Sequence, residues 1–387
     1  MPLDGVVALE AGGGRAAAFA GRLLAAYGAT VIKIEHSNTD GQAQAHDAPA
    51  AGEQAYLDAG KLSVAFPDGP PAEAALLDRL YRASDVVVRF VGPDRAKRSD
   101  VQHTGGHWPV EVEISWFGQT GPWSSYLCDD FLAQHVSGMG FTSALRVDDT
   151  TSSGPRAVTG HLAEMVAGLT AATAAMVAIS GRESGCPPEK IDISVAEAIV
   201  SFMRYETVIY SYGWGLPSRS KLARSPVAAP VFQQATADGY VDMFIMQEAP
   251  WRALLDLLGN PSWADDELFA THPLRSQYWD GLEPLLQAEL RRMETAHLYG
   301  EGQRRGIAIA PVNDIAGAAA APQFAERGFF VRQPLTGGEI LAPGRPFALG
   351  PPAKAALAPT PGEHNRAILV DWLRCTSDEL SKMGVIL

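Results

Sequence analysis

The first part of the chain alternates short apolar runs with longer stretches in which apolar residues recur at helical spacing. The short runs are residues 6–9, 31–34, 63–66, 85–90 and 110–116, and the longer stretches are residues 16–27 and 72–83. Short apolar runs predict strands, whereas apolar positions three or four residues apart predict helices. The alternation therefore predicts a parallel α/β layer, in which ligands bind beyond the carboxyl ends of the strands.

The pattern changes beyond residue 160. Residues 161–179 form an alanine-rich run about as long as a membrane span, but the interior Glu164 and the charged residues after the run favour a core helix. Residues 212–230 are rich in Pro and Ser and lack periodicity, which predicts a linker. We therefore predict a large domain over residues 1–211 and a smaller α+β domain over residues 231–323.

Composition excludes several classes of protein. The chain has 387 residues, of which 47% are hydrophobic, and this predicts a large core in a soluble protein. A net charge of −13 argues against a nucleic-acid binder, because phosphate binding requires basic surface. Without a basic leader we expect no membrane association and a cytoplasmic location. Cys128, Cys186 and Cys375 match no metal-ligand spacing, so we expect neither a metal site nor a disulfide.

The segment over residues 111–138 carries the most specific motif. A predicted strand ends there in a loop that contains two glycines, where backbone amides can approach a ligand closely. The loop and the positions after it are Gly118, Gln119, Thr120, Gly121, Pro122, Asp130, Gln134, Ser137 and Gly138. This arrangement resembles the family III CoA-transferases, which include formyl-CoA and carnitine CoA-transferases and the 2-methylacyl-CoA racemases.

The resemblance extends over essentially the whole chain, through segments near residues 28–35, 57–66 and 306–328. It implies a Rossmann-like large domain with a parallel sheet, to which residues 324–387 return, and an interlocked homodimer. It also implies that CoA and acyl-CoA are substrates, together with a carboxylic acid, and that no cofactor is tightly bound.

The same resemblance implies a catalytic carboxylate near the start of the long helix. Family members carry an aspartate there that forms an acyl anhydride, and the matching position in this chain is Glu164. The extra methylene matters, because a misplacement of about 1 Å can cost roughly 100-fold in rate. His161 is a candidate for proton transfer in the same pocket. Racemase members have a histidine where this chain has Asp129, so Asp129 is the third catalytic candidate.

The CoA-contacting positions of the family are also changed. A glutamine of formyl-CoA transferases aligns with Arg15, an arginine with His36 and an asparagine with Arg89. We nevertheless expect cationic side chains to neutralise the CoA phosphates and Phe90 to support the adenine. The predicted binding residues are Arg15, His36, Lys61, Arg89, Phe90, Lys97, Arg98, Gly118, Gln119 and Asp130.

Three hypotheses about function stay open at this point. The first is a transferase that moves CoA between carboxylic acids through an acyl-glutamyl anhydride at Glu164. The second is an acyl-CoA isomerase, racemase or lyase that uses Glu164 and Asp129 as acid and base. The third is a divergent family member that no longer uses CoA and has a binding or structural role or a different substrate.

Overall fold

A computed structural model describes residues 1–36, 51–66, 72–93, 108–143, 153–187, 190–213, 231–335, 337–350 and 355–387. His36, Lys97 and Arg98 have no described side chains, so their predicted contacts with CoA lie outside the described residues. The chain divides into two compact units. Unit 1 comprises Met1–Ala144, Gly154–Pro217 and Glu326–Leu387, and unit 2 comprises Leu145–Ser153 and Ser218–Ala325.

Three sheets contain the described strands. Unit 1 contains β1 Val7–Ala11, β2 Thr30–His36, β3 Leu62–Phe66, β4 Val86–Phe90, β5 Val110–Ser115 and β6 Lys190–Ser194 in the order β3-β2-β1-β4-β5-β6. All five pairings in that sheet are parallel, which confirms the predicted α/β layer. Unit 2 contains the antiparallel sheet of β7 Val231–Ala235, β8 Tyr240–Phe244 and β9 Ile309–Pro311. The hairpin of β10 Phe330–Leu335 and β11 Gly338–Pro343 belongs to unit 1.

The helices of unit 1 are α1 Arg15–Ala26, α2 Ala51–Leu57, α3 Ala72–Arg82, α4 Asp130–Val136, α5 Met139–Thr142, α6 Leu162–Glu183, α7 Val195–Phe202, α8 Arg204–Ser211 and α15 Ser377–Lys382. A π-helix spans Arg366–Trp372. Those of unit 2 are α9 Glu248–Leu257, α10 His272–Gln277, α11 Trp279–Leu290, α12 Thr295–Arg304 and α13 Ile315–Ala320, and α14 Pro322–Glu326 crosses its boundary. Two short 3₁₀ turns, Ser262–Asp265 and Glu267–Phe269, precede α10.

The parallel sheet is covered on both faces. Successive side chains of a strand point to opposite faces, so neighbouring residues of β1 enter different cores. Ala8 packs in a core with α1 and α6, whereas Leu9 packs in a core with α3 and the C-terminal segment. The sheet order reverses between β1 and β4, and this is the point at which open α/β sheets place their ligands.

Helix α6 is the long alanine-rich helix that the sequence predicts. Residues 162–182 have the length and hydropathy of a membrane span, yet Ala163, Ala167, Ala171 and Ala175 are fully buried at four-residue intervals. Small residues let α6 approach α1 closely, and a Cβ on Gly168 would lie 2.5 Å from the carbonyl oxygen of Ala16. The geometry identifies α6 as a core helix of unit 1.

A buried ionic cluster lies beneath α1. Lys61 Nζ, which has no exposed surface, lies 2.5 Å from Glu10 Oε2 and 3.0 Å from Asp58 Oδ1. Burial raises the pKa of Glu10 above its ordinary value. Burial also works to raise the pKa of Asp58, but Lys61 and Lys33 outweigh it and hold that pKa below its ordinary value. The cluster joins β1, the end of α2 and β3 in one network.

Unit 2 has its own core. Trp251, Leu254, Leu282 and Leu298 pack behind the three-stranded sheet. Arg275 is fully buried there, and its guanidinium donates hydrogen bonds to the Glu248 carboxylate. A paired buried arginine satisfies its charge within the unit.

Candidate active site

The start of α6 has an unusual backbone. His161, immediately before the helix, has φ 55° and ψ 42°, which is the left-handed conformation. That conformation costs a non-glycine residue roughly 1 kcal/mol. His161 also gives α6 no side-chain cap, so the first amides of the helix require acceptors from elsewhere.

Asp130 supplies one of those acceptors. Its Oδ1 accepts a hydrogen bond of 3.0 Å from the backbone N–H of Glu164. Its Oδ2 accepts a hydrogen bond of 2.7 Å from Gln134 Nε2, and the amide of the buried Gln134 also bonds to both backbone groups of Val158. The D-x-x-x-Q motif therefore ties α4 to the start of α6. This is a structural role for Asp130, and its contact with CoA stays a prediction.

The Glu164 carboxylate is nearly buried and lies between two basic side chains. Its side chain is 7% exposed, and its Oε2 lies 3.7 Å from Arg15 Nη1 and 3.5 Å from His161 Nδ1. Arg15 is itself held by Glu53, whose Oε1 lies 3.0 Å from Arg15 Nε. The sequence predicts Arg15 as a phosphate ligand, but the structure places it between two carboxylates of the protein.

Ligand atoms of Asp130, His161 and Glu164 lie within 4.8 Å of one another, a spacing that suits a metal ion. The guanidinium of Arg15 already supplies a positive charge 3.7 Å from Glu164. A divalent cation bound to Glu164 would lie close to this guanidinium, and like charges repel strongly at such short range, which argues against a divalent cation site here.

Phe90 lies beside the glycine turn that precedes α1. Gly12 and Gly14 have φ of 78° and 84°, and added Cβ atoms would lie 2.8 Å from the Phe90 oxygen and 2.9 Å from its Cβ. The Phe90 ring meets Trp116 edge to face, with centroids 5.2 Å apart. The absence of side chains at this turn brings the β1–α1 connection against β4, next to the point where the sheet order reverses.

Two predicted phosphate ligands are engaged by carboxylates. Lys61 belongs to the buried ionic cluster under α1. Arg89, with a side chain 13% exposed, pairs with Glu113, and Lys190 Nζ lies 3.0 Å from the same carboxylate. These lysine and arginine side chains balance charge inside the protein, and their contact with the CoA phosphates stays a prediction.

The loop after β5 is fixed to the neighbouring strand. The backbone N–H of Gln119 donates a 2.8 Å hydrogen bond to Asp192 Oδ2 on β6. Gly118 has φ 83°, and an added Cβ would lie 3.6 Å from the same oxygen. The glycine thus serves the turn, while the amide predicted to meet a ligand is already bonded to Asp192.

Asp129, the third catalytic candidate, and Cys128 directly precede α4. Asp129 Oδ1 accepts a 2.7 Å hydrogen bond from the Leu132 N–H and so caps α4. Among the described residues, the cluster around Glu164 contains Asp130 and His161 but not Asp129. Burial raises the pKa of the Cys128 thiol to about 11, which favours a packing role over that of a nucleophile.

Comparison with known proteins shows which family this chain is related to. The profile of CoA-transferase family III matches residues 3–365. The succinate–glutarate CoA-transferase of Agrobacterium fabrum is 25% identical and covers 96% of this chain and 95% of its own length. The acetyl-CoA:oxalate CoA-transferase of Acetobacter aceti is 24% identical over 90% of this chain and 89% of its own.

Solved structures give the same fold. A CaiB/BaiF family protein from Brucella suis has a TM-score of 0.81 at 24% identity and covers 96% of this chain and 99% of its own. A protein from Mycobacterium tuberculosis has a TM-score of 0.78 at 22% identity, covering 95% of this chain and 98% of its own. At these identities the likeness concerns the fold alone.

Proposed function

The chain belongs to CoA-transferase family III and is an enzyme of the CoA-transferase type, and from this premise we propose that its reaction runs through a mixed anhydride on Glu164. The observation that carries the proposal is the position of Glu164. Its carboxylate is nearly buried at the start of α6, in a cluster with Arg15 and His161.

The proposed reaction consists of four displacements. A Glu164 oxygen attacks the thioester carbonyl of the donor acyl-CoA, the C–S bond breaks, and CoA leaves as the thiolate. The thiolate then attacks the Glu164 carbonyl of the anhydride, which releases the donor acid and leaves a glutamyl-CoA thioester. The acceptor carboxylate displaces CoA from this thioester, and the thiolate finally attacks the acceptor carbonyl. The products are the new acyl-CoA and free Glu164.

Arg15 has a defined part in this scheme. Acylation removes the negative charge of Glu164, so Arg15 loses that ion pair at the first step. Glu53, with its oxygen 3.0 Å from Arg15 Nε, keeps the guanidinium in place. When Glu164 regains its negative charge in the last step, the guanidinium of Arg15 stabilises the carboxylate as it leaves.

We propose dicarboxylic acids as the acid substrates. Relatives of this chain are named for succinate and glutarate, for oxalate, and for malate with succinyl-CoA as donor. Succinyl-CoA and acetyl-CoA are therefore the first donors to test, with oxalate, malate and glutarate as acceptors.

Trapping of the acyl-enzyme tests the mechanism. Incubation with acetyl-CoA and hydroxylamine should convert Glu164 to a hydroxamate, detected by mass spectrometry of the peptide that contains it. The Glu164→Ala variant should lose both the modification and CoA transfer, while Glu294→Gln, which changes an exposed acid in unit 2, should keep both. Rapid transfer by Glu164→Ala would refute the covalent scheme.

We also propose the interlocked homodimer. No residue of α8, which is described throughout, is buried, and Tyr205 and Val208 are 55% and 51% exposed. Apolar side chains on α4, α6 and α7 are exposed as well, and exposed apolar side chains of this kind support the proposal of an interface. Sedimentation should give twice the mass of the chain, and a Tyr205→Glu, Val208→Glu double variant should shift it toward the monomer. A monomeric wild type would overturn this proposal.

We place the enzyme in the cytoplasm. Cys128, Cys186 and Cys375 are an odd, widely spaced set, which suits a reducing compartment. Fractionation of cells that express the chain tests the location, and recovery in the membrane or secreted fraction would contradict it.

A second candidate function is a family member that no longer binds CoA. The engagement of Lys61 and Arg89 by carboxylates favours it, because these two predicted ligands of the nucleotide already have ion-pair partners within the protein. A rise in melting temperature at saturating CoA would eliminate this candidate, whereas no shift would make it the leading account. The isomerase hypothesis has less support, since Asp129 caps α4 and is not part of the Glu164 cluster.

A further inference from the structure

His161 has a geometry that the transfer reaction does not require. None of the four displacements needs a general base, because each nucleophile is already an anion. Yet a histidine occupies a left-handed position directly before α6, where a glycine would remove the strain. The imidazole Nδ1 lies 3.5 Å from Glu164 Oε2, and the His161 side chain is 36% exposed against 7% for Glu164. The imidazole is therefore the more solvent-accessible of the two groups.

We infer that the Glu164–His161 pair gives this enzyme a second activity, the hydrolysis of acyl-CoA, with His161 as the general base that activates water. This inference rests on the proposed acylation of Glu164. It names water as an alternative acceptor for the acyl group that would otherwise pass to a carboxylic acid.

The hydrolytic step balances without any further reactant. A water oxygen attacks the acyl carbon of the Glu164 anhydride while a water proton passes to His161 Nδ1. The bond between the acyl carbon and the Glu164 oxygen then breaks, and Glu164 leaves as the carboxylate. His161 returns its proton to solvent. The net reaction is acyl-CoA and water to carboxylic acid and CoA.

The distances suit this role. A general base must lie within hydrogen-bond reach of the attacking water, about 2.6–3.2 Å. The acyl carbon would lie one bond beyond a Glu164 oxygen, so a nitrogen 3.5 Å from Oε2 leaves room for a water that contacts both the base and the acyl carbon. Arg15, 3.7 Å from the same oxygen, favours the departure of Glu164 as an anion.

Release of CoA in the absence of an acceptor acid is the direct test. Wild-type enzyme with acetyl-CoA should release thiol through many turnovers, at a rate above the enzyme-free blank. The His161→Asn variant should hydrolyse about 100-fold more slowly, because general bases contribute roughly that much and asparagine cannot take the proton. Asparagine tolerates the left-handed backbone, so this variant preserves the start of α6. His297→Asn, which removes an exposed histidine from α12, is the matched control.

Transfer to oxalate, measured on the same preparations, separates the possible outcomes. A ratio of hydrolysis to transfer at least tenfold lower in His161→Asn than in wild type would support the inference. Transfer without hydrolysis in wild type, or equal ratios in both proteins, would overturn it while leaving the proposed function intact. If wild-type enzyme shows no hydroxylamine trapping, no hydrolysis and no transfer, the proposed function itself is defeated. If His161→Asn does not fold, the wild-type reaction without acceptor alone decides, because absence of thiol release is sufficient to overturn the inference.

Discussion

Replacement of Asp130 by alanine tests how α4 positions the Glu164 carboxylate. The Asp130 carboxylate accepts hydrogen bonds from the Glu164 N–H at 3.0 Å and from Gln134 Nε2 at 2.7 Å. Asp130→Ala removes both acceptors and leaves the first turn of α6 without this cap. The variant should therefore be less stable and also slower in CoA transfer.

The size of both effects follows from these contacts. A hydrogen bond to an ionised group is worth about 1.5–3 kcal/mol when buried, and Asp130 is half-buried, so each bond falls at the lower end. Loss of both predicts a destabilisation of about 3 kcal/mol. Movement of Glu164 by about 1 Å predicts roughly a 100-fold lower rate.

Asp130→Asn should have an intermediate effect. The new amide keeps one acceptor oxygen, which can serve Glu164 N–H, but it presents N–H groups to Gln134 Nε2. Gln134 cannot turn over to accept from them, because its Nε2 donates to Val158 O and its Oε1 accepts from Val158 N. About half of the stability loss should remain.

Urea denaturation and CoA transfer to oxalate are the two assays. The control is Thr376→Ala, which removes the capping box of α15 on the other face of the sheet and should cost about 1 kcal/mol without changing the transfer rate. If Asp130→Ala loses the expected stability but transfers CoA within twofold of wild type, the cap does not position Glu164, and the reasoning fails.

Three further predictions concern unit 1 and the packing of helices. Lys61→Met should destabilise the protein by about 3–5 kcal/mol in urea, because it leaves the buried Glu10 carboxylate without its closest lysine and removes one of the two lysines that pair with Asp58. A loss below about 1 kcal/mol would contradict this reasoning. Gly168→Ala should lower the free energy of unfolding by about 1–3 kcal/mol, since the new methyl group would lie 2.5 Å from Ala16 O. The control Gly281→Ala, with no atom within 4 Å of the added Cβ, should not destabilise the protein. Equal effects of the two substitutions would contradict the close contact between α1 and α6. The lowered pKa of Asp58 means that its contribution to stability is complete above its ordinary pKa of about 3.9 and is lost as the pH falls through and below it. In Asp58→Asn, the free energy of unfolding measured in urea should therefore fall less steeply at acid pH than it does in wild type. An unchanged pH dependence would rule out the contribution of Asp58.

Much of the parallel layer could be predicted from the sequence, because apolar periodicity reports which side chains are buried. The run at residues 85–90 corresponds to β4 Val86–Phe90, and the run at residues 110–116 corresponds to β5 Val110–Ser115. The edge strand β6 Lys190–Ser194 was not predicted. Its first three residues are exposed or only half-buried, so it lacks the continuous apolar run that marks a central strand.

The partners of the charged residues could not be predicted in the same way. Lys61 and Arg89 carry the charge that phosphate binding requires, and only the folded chain shows Glu10, Asp58 and Glu113 beside them. Pairing between distant segments leaves no periodic signal in a single sequence. The sequence shows that a side chain is charged, but the fold determines which opposite charge it pairs with.

The same limit applies to two departures from the family pattern, Glu164 and Arg15, because the sequence does not show that they are neighbours. The resemblance places an aspartate at the position of Glu164 and a glutamine at that of Arg15, and the two positions are far apart in sequence. In the structure their side chains lie 3.7 Å apart, and Glu53 holds the far side of the guanidinium. A longer acid and a cationic neighbour thus form one local arrangement. Arg15, which the sequence predicts as a ligand of the CoA phosphates, lies in the environment of the Glu164 carboxylate, so the proposed mechanism treats the two residues as a pair.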